Sequence, residues 1–332
     1  MRPIFPTCYV DFPEGTDHRR APFYLAAEEY IARELPKNNY LFSWQLSPTV
    51  VVGRNQVLHQ EINLDFCRSN NIDVIRRKSG GGAIFADRNN IMWSLVTEAG
   101  AVEPLFQEYA RQVAAALHIL GAAAEVSGRN DIILKDGGKI CGNSFYHQYD
   151  CNIVHGTMLY DTTPELMSGA LTPNEMKLQS KGVKSVSSRV ALLKDYLPFG
   201  VTELRKRLQA LLSDRSISLT ANDVKRIEDI EQGYYTTEYL YGRTSSNIVR
   251  SGTAEGCGSI ALYFKLRGTL IDEVCLHGDF FELSDARTAF NQAFKGIPFT
   301  PHSLKEAVAN FHPELSIRNL NDKELLHILT TA

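Results

Sequence analysis

The chain has 332 residues, of which 44% are hydrophobic and 22% charged, and its formal net charge is −3. This length exceeds one typical domain and predicts two. The near-neutral charge argues against a general nucleic-acid binder, which would carry a strongly basic face. The six cysteines form no C-x-x-C pair, and no stretch is long and uncharged enough to span a bilayer. We therefore expect a cytoplasmic protein with reduced thiols and with no membrane or nucleic-acid partner.

The first two thirds of the chain mix predicted helices and strands without strict βαβ alternation. An amphipathic helix begins at Pro22, because proline is favoured at a first helical position and the apolar spacing after it is helical. Next come strands at 40–46 and 49–52, a short helix at 63–69, strands at 72–75 and 91–96, and a helix at 104–120. A hairpin at 131–134 and 139–146, a strand at 152–160, and helices at 202–212 and 221–232 complete this part.

A second, smaller unit is predicted towards the end of the chain. The hydrophobic period is lost between residues 236 and 250, which indicates a linker. A hairpin follows at 260–266 and 269–276, and helices are predicted at 284–294, 303–310 and 322–329. The predicted fold class is therefore α+β, with a mixed, largely antiparallel sheet packed by helices and a small α+β C-terminal domain.

The most informative stretch places Arg76, Arg77 and Lys78 directly before Ser79 and three consecutive glycines. Glycines permit positive φ and close backbone approach, so successive N–H groups can form an anion-binding concavity. Neither the P-loop spacing nor G-x-G-x-x-G is present, which leaves a less common site for a carboxylate or phosphate. We expect the loop amides to face a ligand, the alternative being a glycine turn with solvated charges.

A second group of polar residues occupies the predicted hairpin, where Lys139 stands on a strand with otherwise apolar and small neighbours. Such a lysine must reach solvent or meet an anion, because an unpaired buried ammonium is very costly. Asp131 could pair with it, share a metal, or serve only the hairpin structure. A third, cationic run at 177–189 has no clean period; it is either a solvated surface loop or a lid that brings lysines onto a phosphate.

Taken together, these motifs resemble those of the lipoate-protein ligases in the biotin and lipoate ligase superfamily. The resemblance covers roughly residues 23–193, and residues 241–329 are similar to the accessory domain of the bacterial enzymes. It implies a catalytic domain at 1–241, a linker at 242–250 and a C-terminal accessory domain at 251–332. The motifs that carry it are Arg76-Arg77-Lys78-Ser79-Gly80-Gly81-Gly82-Ala83, Gly128-Arg129-Asn130-Asp131, Lys139-Ile140, His155-Gly156-Thr157 and Ser180-Lys181-Gly182-Val183-Lys184-Ser185-Val186.

The resemblance implies that lipoate attacks the α-phosphate of ATP, and that a lysine of an acceptor lipoyl domain then takes the acyl group from lipoyl-AMP. Lys139 would be catalytic, and Mg²⁺ would accompany ATP without visible dedicated ligands. The acceptors would be 2-oxo-acid dehydrogenase E2 subunits or the glycine cleavage H protein. Residues implied to bind ATP or lipoyl-AMP are Arg77, Ser79, Gly81, Gly82, Ala83, Ile84, Phe85, Asn130, Asp131, Lys139, His155, Lys181 and Lys184.

Two alternatives stay open. One is an ATP-independent lipoyl or octanoyl transferase that acts between carrier proteins, a reaction for which a cysteine could serve as the nucleophile. The other is a non-catalytic adenylate-binding protein on the same scaffold. Cys141 bears on the first alternative, because it departs from the family pattern and shares a strand face with Lys139, whose ammonium would favour the thiolate. Val154 and Ser187 also depart from that pattern.

Overall fold

The structure, a computed structural model, describes residues 6–127, 131–135, 138–171, 190–241 and 248–330. These residues group into two compact units. The large unit comprises described residues within 1–52, 59–76 and 83–240, and the small unit comprises those within 53–58, 77–82 and 241–332. No helix among the described residues is long and apolar enough to cross a membrane.

Within the described residues, the strands and helices have the following bounds. The strands are β1 (Cys8–Asp11), β2 (Tyr40–Trp44), β3 (Thr49–Val52), β4 (Asp73–Arg76), β5 (Ile84–Ala86), β6 (Asn90–Glu98), β7 (Ala124–Ser127), β8 (Asp131–Leu134), β9 (Lys139–Gln148), β10 (Cys151–Leu159), β11 (Arg215–Ser218), β12 (Ile248–Ala254), β13 (Gly258–Arg267) and β14 (Leu270–Gly278). The helices are α1 (Ala21–Glu34), α2 (Leu58–Glu61), α3 (Leu64–Ser69), α4 (Val102–Ile119), α5 (Pro164–Ala170), α6 (Val201–Leu212), α7 (Ala221–Glu231), α8 (Thr237–Tyr241), α9 (Ala286–Phe294), α10 (Pro301–Ala309) and α11 (Asp322–Thr330).

The large unit is built on an eight-stranded sheet in the order β11-β1-β2-β6-β10-β9-β8-β7. The first three strands are mutually parallel, and every later neighbour pair is antiparallel. A second, three-stranded sheet has the order β4-β3-β5, in which β3 is parallel to β4 and antiparallel to β5. The prediction of a mixed, largely antiparallel sheet packed by helices is therefore confirmed.

Helix α1 supplies much of the core of the large unit. Pro22 lies in its first turn, and twelve of its fourteen residues are buried. Its apolar side chains join those of β2 and β6 in one cluster, in which the rings of Tyr24 and Trp44 stack at a centroid distance of 4.9 Å. Two of the buried residues are the carboxylates Glu28 and Glu29, at 0% and 2% exposure, so the helix also carries charge into the core.

The small unit contains the antiparallel sheet β12-β13-β14 and the helices α9, α10 and α11. Four phenylalanines are fully buried in its core: Phe264, Phe280, Phe290 and Phe294. The predicted α+β character of this part is confirmed by the sheet and helices. Strand β12 begins at Ile248, inside the range predicted as linker. The domain boundaries themselves stay a prediction.

Candidate active site

Lys139 forms an ion pair with Asp131 across two neighbouring strands. Its Nζ lies 2.7 Å from Asp131 Oδ1, and the side chains are 34% and 32% exposed. A register shift between β8 and β9 lies between Ile132 and Ile133, so Asp131 pairs with Gly142 and Ile133 with Lys139. A Cβ on Gly142 would lie 2.8 Å from Nζ, so the glycine leaves room for the ammonium. Of the alternatives for Lys139 and Asp131, the structure shows the ion pair.

The backbone of Lys139 also pairs with the two residues that follow the cationic run. Val190 forms a parallel bridge with Lys139, and the Ala191 amide donates to the Lys139 carbonyl over 2.9 Å. A Cβ on Gly138 would lie 2.3 Å from the Cβ of Ala191, so the chain at Gly138 passes very close to Ala191. Three predicted site residues, Asn130, Lys181 and Lys184, lie outside the described residues.

His155 lies in the middle of β10, where its Nδ1 is 2.9 and 3.0 Å from the two carboxylate oxygens of Glu28. Both side chains are buried, at 5% and 0% exposure. The hydroxyls of Ser94 and Tyr146 donate to the same carboxylate over 2.6 and 3.2 Å, and Trp44 Nε1 donates to Ser94 Oγ. A buried carboxylate is tolerated when donors surround it in this way. Burial, followed by the charge of Glu28, raises the pKa of Tyr146 well above its usual value.

The neighbouring carboxylate, Glu29, belongs to a second buried polar group. The Tyr234 hydroxyl donates to Glu29 over 2.5 Å, and the Gln148 amide donates over 3.2 Å. Burial raises the pKa of Tyr234 well above its usual value, so this phenol stays protonated as a donor. Sequence reasoning missed both glutamates. The signal was present, since Glu28 and Glu29 interrupt a helix face that is otherwise apolar or aromatic.

The glycine loop, residues 77–82, lies in the small unit. Arg77 is only 5% exposed, and its guanidinium donates to Ser79 Oγ over 2.9 Å and to the carbonyls of Gly80 and Gly82 over 2.7 and 2.8 Å. Arginine presents five N–H donors in a fixed fork, which suits it to holding a loop shape. Arg77 therefore organises the loop from within.

Two glycines in this loop are required by their surroundings. Gly81 has a φ of +85°, which favours glycine, and its amide donates to the Phe280 carbonyl over 3.1 Å. A Cβ on Gly80 would lie 2.2 Å from the same carbonyl oxygen. The expected positive φ is confirmed, but the expectation that the loop amides face a ligand is wrong for Gly81. Its hydrogen bond goes instead to Phe280, which follows the end of β14 and is remote in sequence.

The remaining predicted residues of this motif lie in and beside β5. Ala83 precedes the strand, and Ile84 and Phe85 pair with Val51 and Val50 of β3. Phe85 is buried at 3% exposure, while Ile84 packs against the hydrophobic core of the large unit. These three residues therefore belong to the large unit.

Cys141 lies on β9 two residues after Lys139 and is buried at 3% exposure. Burial raises the pKa of its thiol to about 12, which outweighs the opposite effect of the Lys139 charge. The thiol donates to Asn143 Oδ1 over 3.5 Å. The Lys139 ammonium therefore acts on the Cys141 pKa in the expected direction, but desolvation of the charged sulfur dominates, so the net effect disfavours a thiolate.

The fold and these motifs match one known family. The model of the lipoyl protein ligase A/B catalytic domain matches residues 20–213, more than half of the chain, and the chain belongs to this family of enzymes. The model of the bacterial lipoate protein ligase C-terminus matches residues 245–329.

Curated relatives agree with this assignment. The chain is 34% identical over 273 residues to lipoate-protein ligase LplJ of Bacillus subtilis (strain 168), a match that covers 79% of this chain and 82% of the relative. It is 31% identical over 316 residues to lipoate–protein ligase 1 of Staphylococcus aureus (strain Mu50 / ATCC 700699), covering 92% and 95% of the two chains.

Solved structures share the fold at low sequence identity. P. falciparum LipL1, solved in complex with lipoate, matches with a TM-score of 0.79 and 16% identity over 98% of both chains. A bipartite lipoate protein ligase of Thermoplasma acidophilum, described with its E2 lipoyl domain, matches with a TM-score of 0.62 and 24% identity. This match covers 74% of this chain and 99% of the other. A lipoate-protein ligase A bound with ATP matches with a TM-score of 0.60 and 22% identity, covering 73% of this chain and 99% of the other.

Proposed function

We propose that this enzyme is an ATP-dependent lipoate-protein ligase. In the first step, a carboxylate oxygen of lipoate attacks the α-phosphorus of ATP, which forms lipoyl-AMP and releases pyrophosphate. In the second, the amine of an acceptor lysine attacks the acyl carbon, and AMP leaves. The family assignment supports this reaction, as do the names of the relatives, which are lipoate-protein ligases. Related folds have been solved with lipoate and with ATP.

The ion pair between Lys139 and Asp131 is the observation that carries the proposal. The carboxylate holds the ammonium in one position while leaving a third of its side chain exposed. Negative charge develops on the phosphate during adenylation and on the departing AMP during transfer. A fixed cation aimed at that charge lowers both barriers, because no reorganisation is needed when the charge appears. We assign Lys139 as the catalytic residue on this ground.

The proposed ATP and lipoyl-AMP site includes thirteen residues of the chain. It comprises the loop and strand residues Arg77, Ser79, Gly81, Gly82, Ala83, Ile84 and Phe85, together with Asn130, Asp131, Lys139, His155, Lys181 and Lys184. The bonds from Arg77 to three loop atoms support a pre-formed loop. The hydrogen bond from His155 to Glu28 fixes the imidazole orientation.

Mg²⁺ is proposed to enter with ATP. Among the described residues, no three His, Cys, Asp or Glu side chains are placed to hold a metal ion. Mg²⁺ usually keeps several waters and binds substrate phosphates with one or two carboxylates, and a donor set of that size is compatible with these residues. The chemistry it would supply is neutralisation of the triphosphate.

The alternative of a thiol-dependent acyl transferase is disfavoured by Cys141. A nucleophilic thiol needs a lowered pKa, whereas burial raises that of Cys141 to about 12. The test that separates the two reactions is pyrophosphate release by the wild-type protein with lipoate and ATP. Release that depends on lipoate supports the ligase. Acyl transfer between carrier proteins without ATP, and without pyrophosphate release, would overturn it.

We further propose lipoyl-domain proteins as acceptors, either 2-oxo-acid dehydrogenase E2 subunits or the glycine cleavage H protein. The support is the T. acidophilum ligase, which is described with an E2 lipoyl domain. We propose a cytoplasmic location, which is supported by the cysteines, since none of them forms a disulfide in the described part of the chain. The catalytic domain is proposed to span 1–241 and the accessory domain 251–332, joined by a linker at 242–250. The family matches at 20–213 and 245–329 support this division.

A further inference from the structure

A cavity of about 240 Å³ lies in the large unit at the carboxyl ends of β1 and β2. Asp11 ends β1 and Trp44 ends β2, and residues 202–209 of α6 line another side. Ligands in open sheets bind preferentially outside the carboxyl ends of parallel strands. In this sheet, parallel pairing joins β1 to β2 and β11, so the carboxyl ends of these three strands lie at the same edge. The described residues that line it include neither Lys139 nor His155.

The cavity is lined by four charged side chains, two of each sign: Asp11, Asp17, Arg205 and Lys206. None of the four forms an ion pair with another residue in the described part of the chain. Opposite charges that share one cavity without pairing leave it with both an anionic and a cationic side. A ligand that carries one charge of each sign can satisfy both sides at once.

The guanidinium of Arg205 is fixed by hydrogen bonds in an orientation that leaves N–H donors for an anion. Its Nε donates to Ser43 Oγ over 2.7 Å and its Nη2 donates to the Ser43 carbonyl over 2.9 Å. Ser43 is 2% exposed and its hydroxyl also lies 2.7 Å from the Tyr9 hydroxyl, so this anchor is buried and rigid. Nη1 has no hydrogen-bond partner among the described residues. The fork is therefore fixed while some of its N–H donors stay available to a carboxylate.

Aromatic side chains form the apolar wall of the cavity. Tyr24 and Trp44 stack at 4.9 Å, and Phe12 lies edge-on to Tyr24 at 6.1 Å. The Tyr24 hydroxyl donates to the Thr16 carbonyl over 2.7 Å, which fixes the ring. Such a wall accommodates an apolar or aromatic ligand body.

We propose that this cavity binds a small zwitterion of the free α-amino-acid class. The ligand carboxylate lies against Arg205 and Lys206, and the ligand ammonium lies against Asp11 and Asp17. The volume of about 240 Å³ is below the range of about 300–1,000 Å³ typical of sites for drug-sized molecules, which favours a small ligand. This proposal does not rest on the ligase function proposed above.

The test uses ligand-observed NMR and calorimetry on the full chain, with L-phenylalanine, L-leucine and L-glutamine as probes. The single-charge analogues 3-phenylpropionate and 2-phenylethylamine are compared with L-phenylalanine. We expect each analogue to bind about tenfold more weakly or worse, because each loses the charge-assisted hydrogen bonds of one end. If no amino acid binds at about 10 mM, which would reveal even millimolar affinity, the proposal is overturned. Equal binding of L-phenylalanine and both analogues would overturn it too.

Two exposed positions provide variants that should fold normally, Asp17→Asn and Lys206→Gln. Each is expected to weaken amino-acid binding about tenfold, because it removes one charged partner of the zwitterion. The matched control is Lys225→Gln, an exposed lysine on α7 away from the cavity lining, which should keep wild-type affinity. Wild-type affinity in both Asp17→Asn and Lys206→Gln would rule out this mode of binding.

Discussion

Replacing Lys139 by alanine should separate catalysis from stability. Its ion pair with Asp131 spans 2.7 Å, but both side chains are about one third exposed. Solvent screening limits such a pair to about 0–1 kcal/mol of stability. Loss of one preorganised charge donor typically costs about 2.7–4 kcal/mol in the transition state, or roughly 100- to 1,000-fold in rate. We therefore expect adenylation to fall by that factor while the melting temperature changes little.

The assay for this prediction is lipoyl-AMP formation, followed by mass spectrometry and by pyrophosphate release, with thermal melting on the same samples. Lys135→Ala is the matched control, because Lys135 is an exposed lysine at the end of the preceding strand. It should retain wild-type adenylation. Near-normal adenylation by Lys139→Ala would show that Lys139 is only a strand lysine. If the alanine variant melts early, Lys139→Gln, which keeps most of the side-chain volume, decides the question.

Three further variants, one of them with a matched control, test the rest of the site. Gly81→Val should weaken binding of ATP and lipoate by calorimetry, because φ is +85° and a Cβ would lie 3.0 Å from the Phe281 ring; unchanged affinity for both would refute this role. Glu28→Gln should lower the free energy of unfolding by about 1–3 kcal/mol in urea titrations, since the buried carboxylate accepts several hydrogen bonds. Glu34→Gln, at the partly exposed end of the same helix, should cost measurably less stability, and equal losses would contradict the reasoning. Cys141→Ser should retain ligase activity, and native Cys141 should resist alkylation near pH 8 because its pKa is raised to about 12; a dead variant with an acyl adduct on Cys141 in the wild type would favour the transferase.

The elements predicted well from the sequence are the long ones with a clear hydrophobic period. Strand β10, predicted at 152–160, is observed at Cys151–Leu159, and α6, predicted at 202–212, is observed at Val201–Leu212. The four-residue strands β1 and β11 were missed, whereas the equally short β3, β4 and β8 were predicted from their β-branched and apolar residues. Strand β11 is also mostly exposed. Both are held by long-range parallel pairing, which leaves no local signal in the chain.

The glycine loop shows a second limit of sequence reasoning. Its residue types predicted the positive φ of Gly81, because that conformation is a local property of the backbone. The destination of the Gly81 amide was not predictable, since its acceptor, the Phe280 carbonyl, is remote in sequence. The hydrogen-bond acceptors of Arg77 could not be predicted either, because an arginine before glycines can donate equally well to a bound anion or to the loop carbonyls.

Two of the proposed site residues in the large unit, Lys139 and His155, are each held by a carboxylate from a different element. Asp131 lies on the neighbouring strand, and Glu28 lies on α1, far earlier in the chain. A short sequence motif identifies the residue expected to contact the substrate. It also identifies the carboxylate that fixes that residue only when both lie in the same short stretch of the chain. The pairing of Asp131 with Lys139 was therefore open to sequence reasoning, whereas that of Glu28 with His155 required the fold. Since a carboxylate that fixes a cation or an imidazole also sets its orientation, Glu28 should affect the site as a positioning residue as well as the stability of the core.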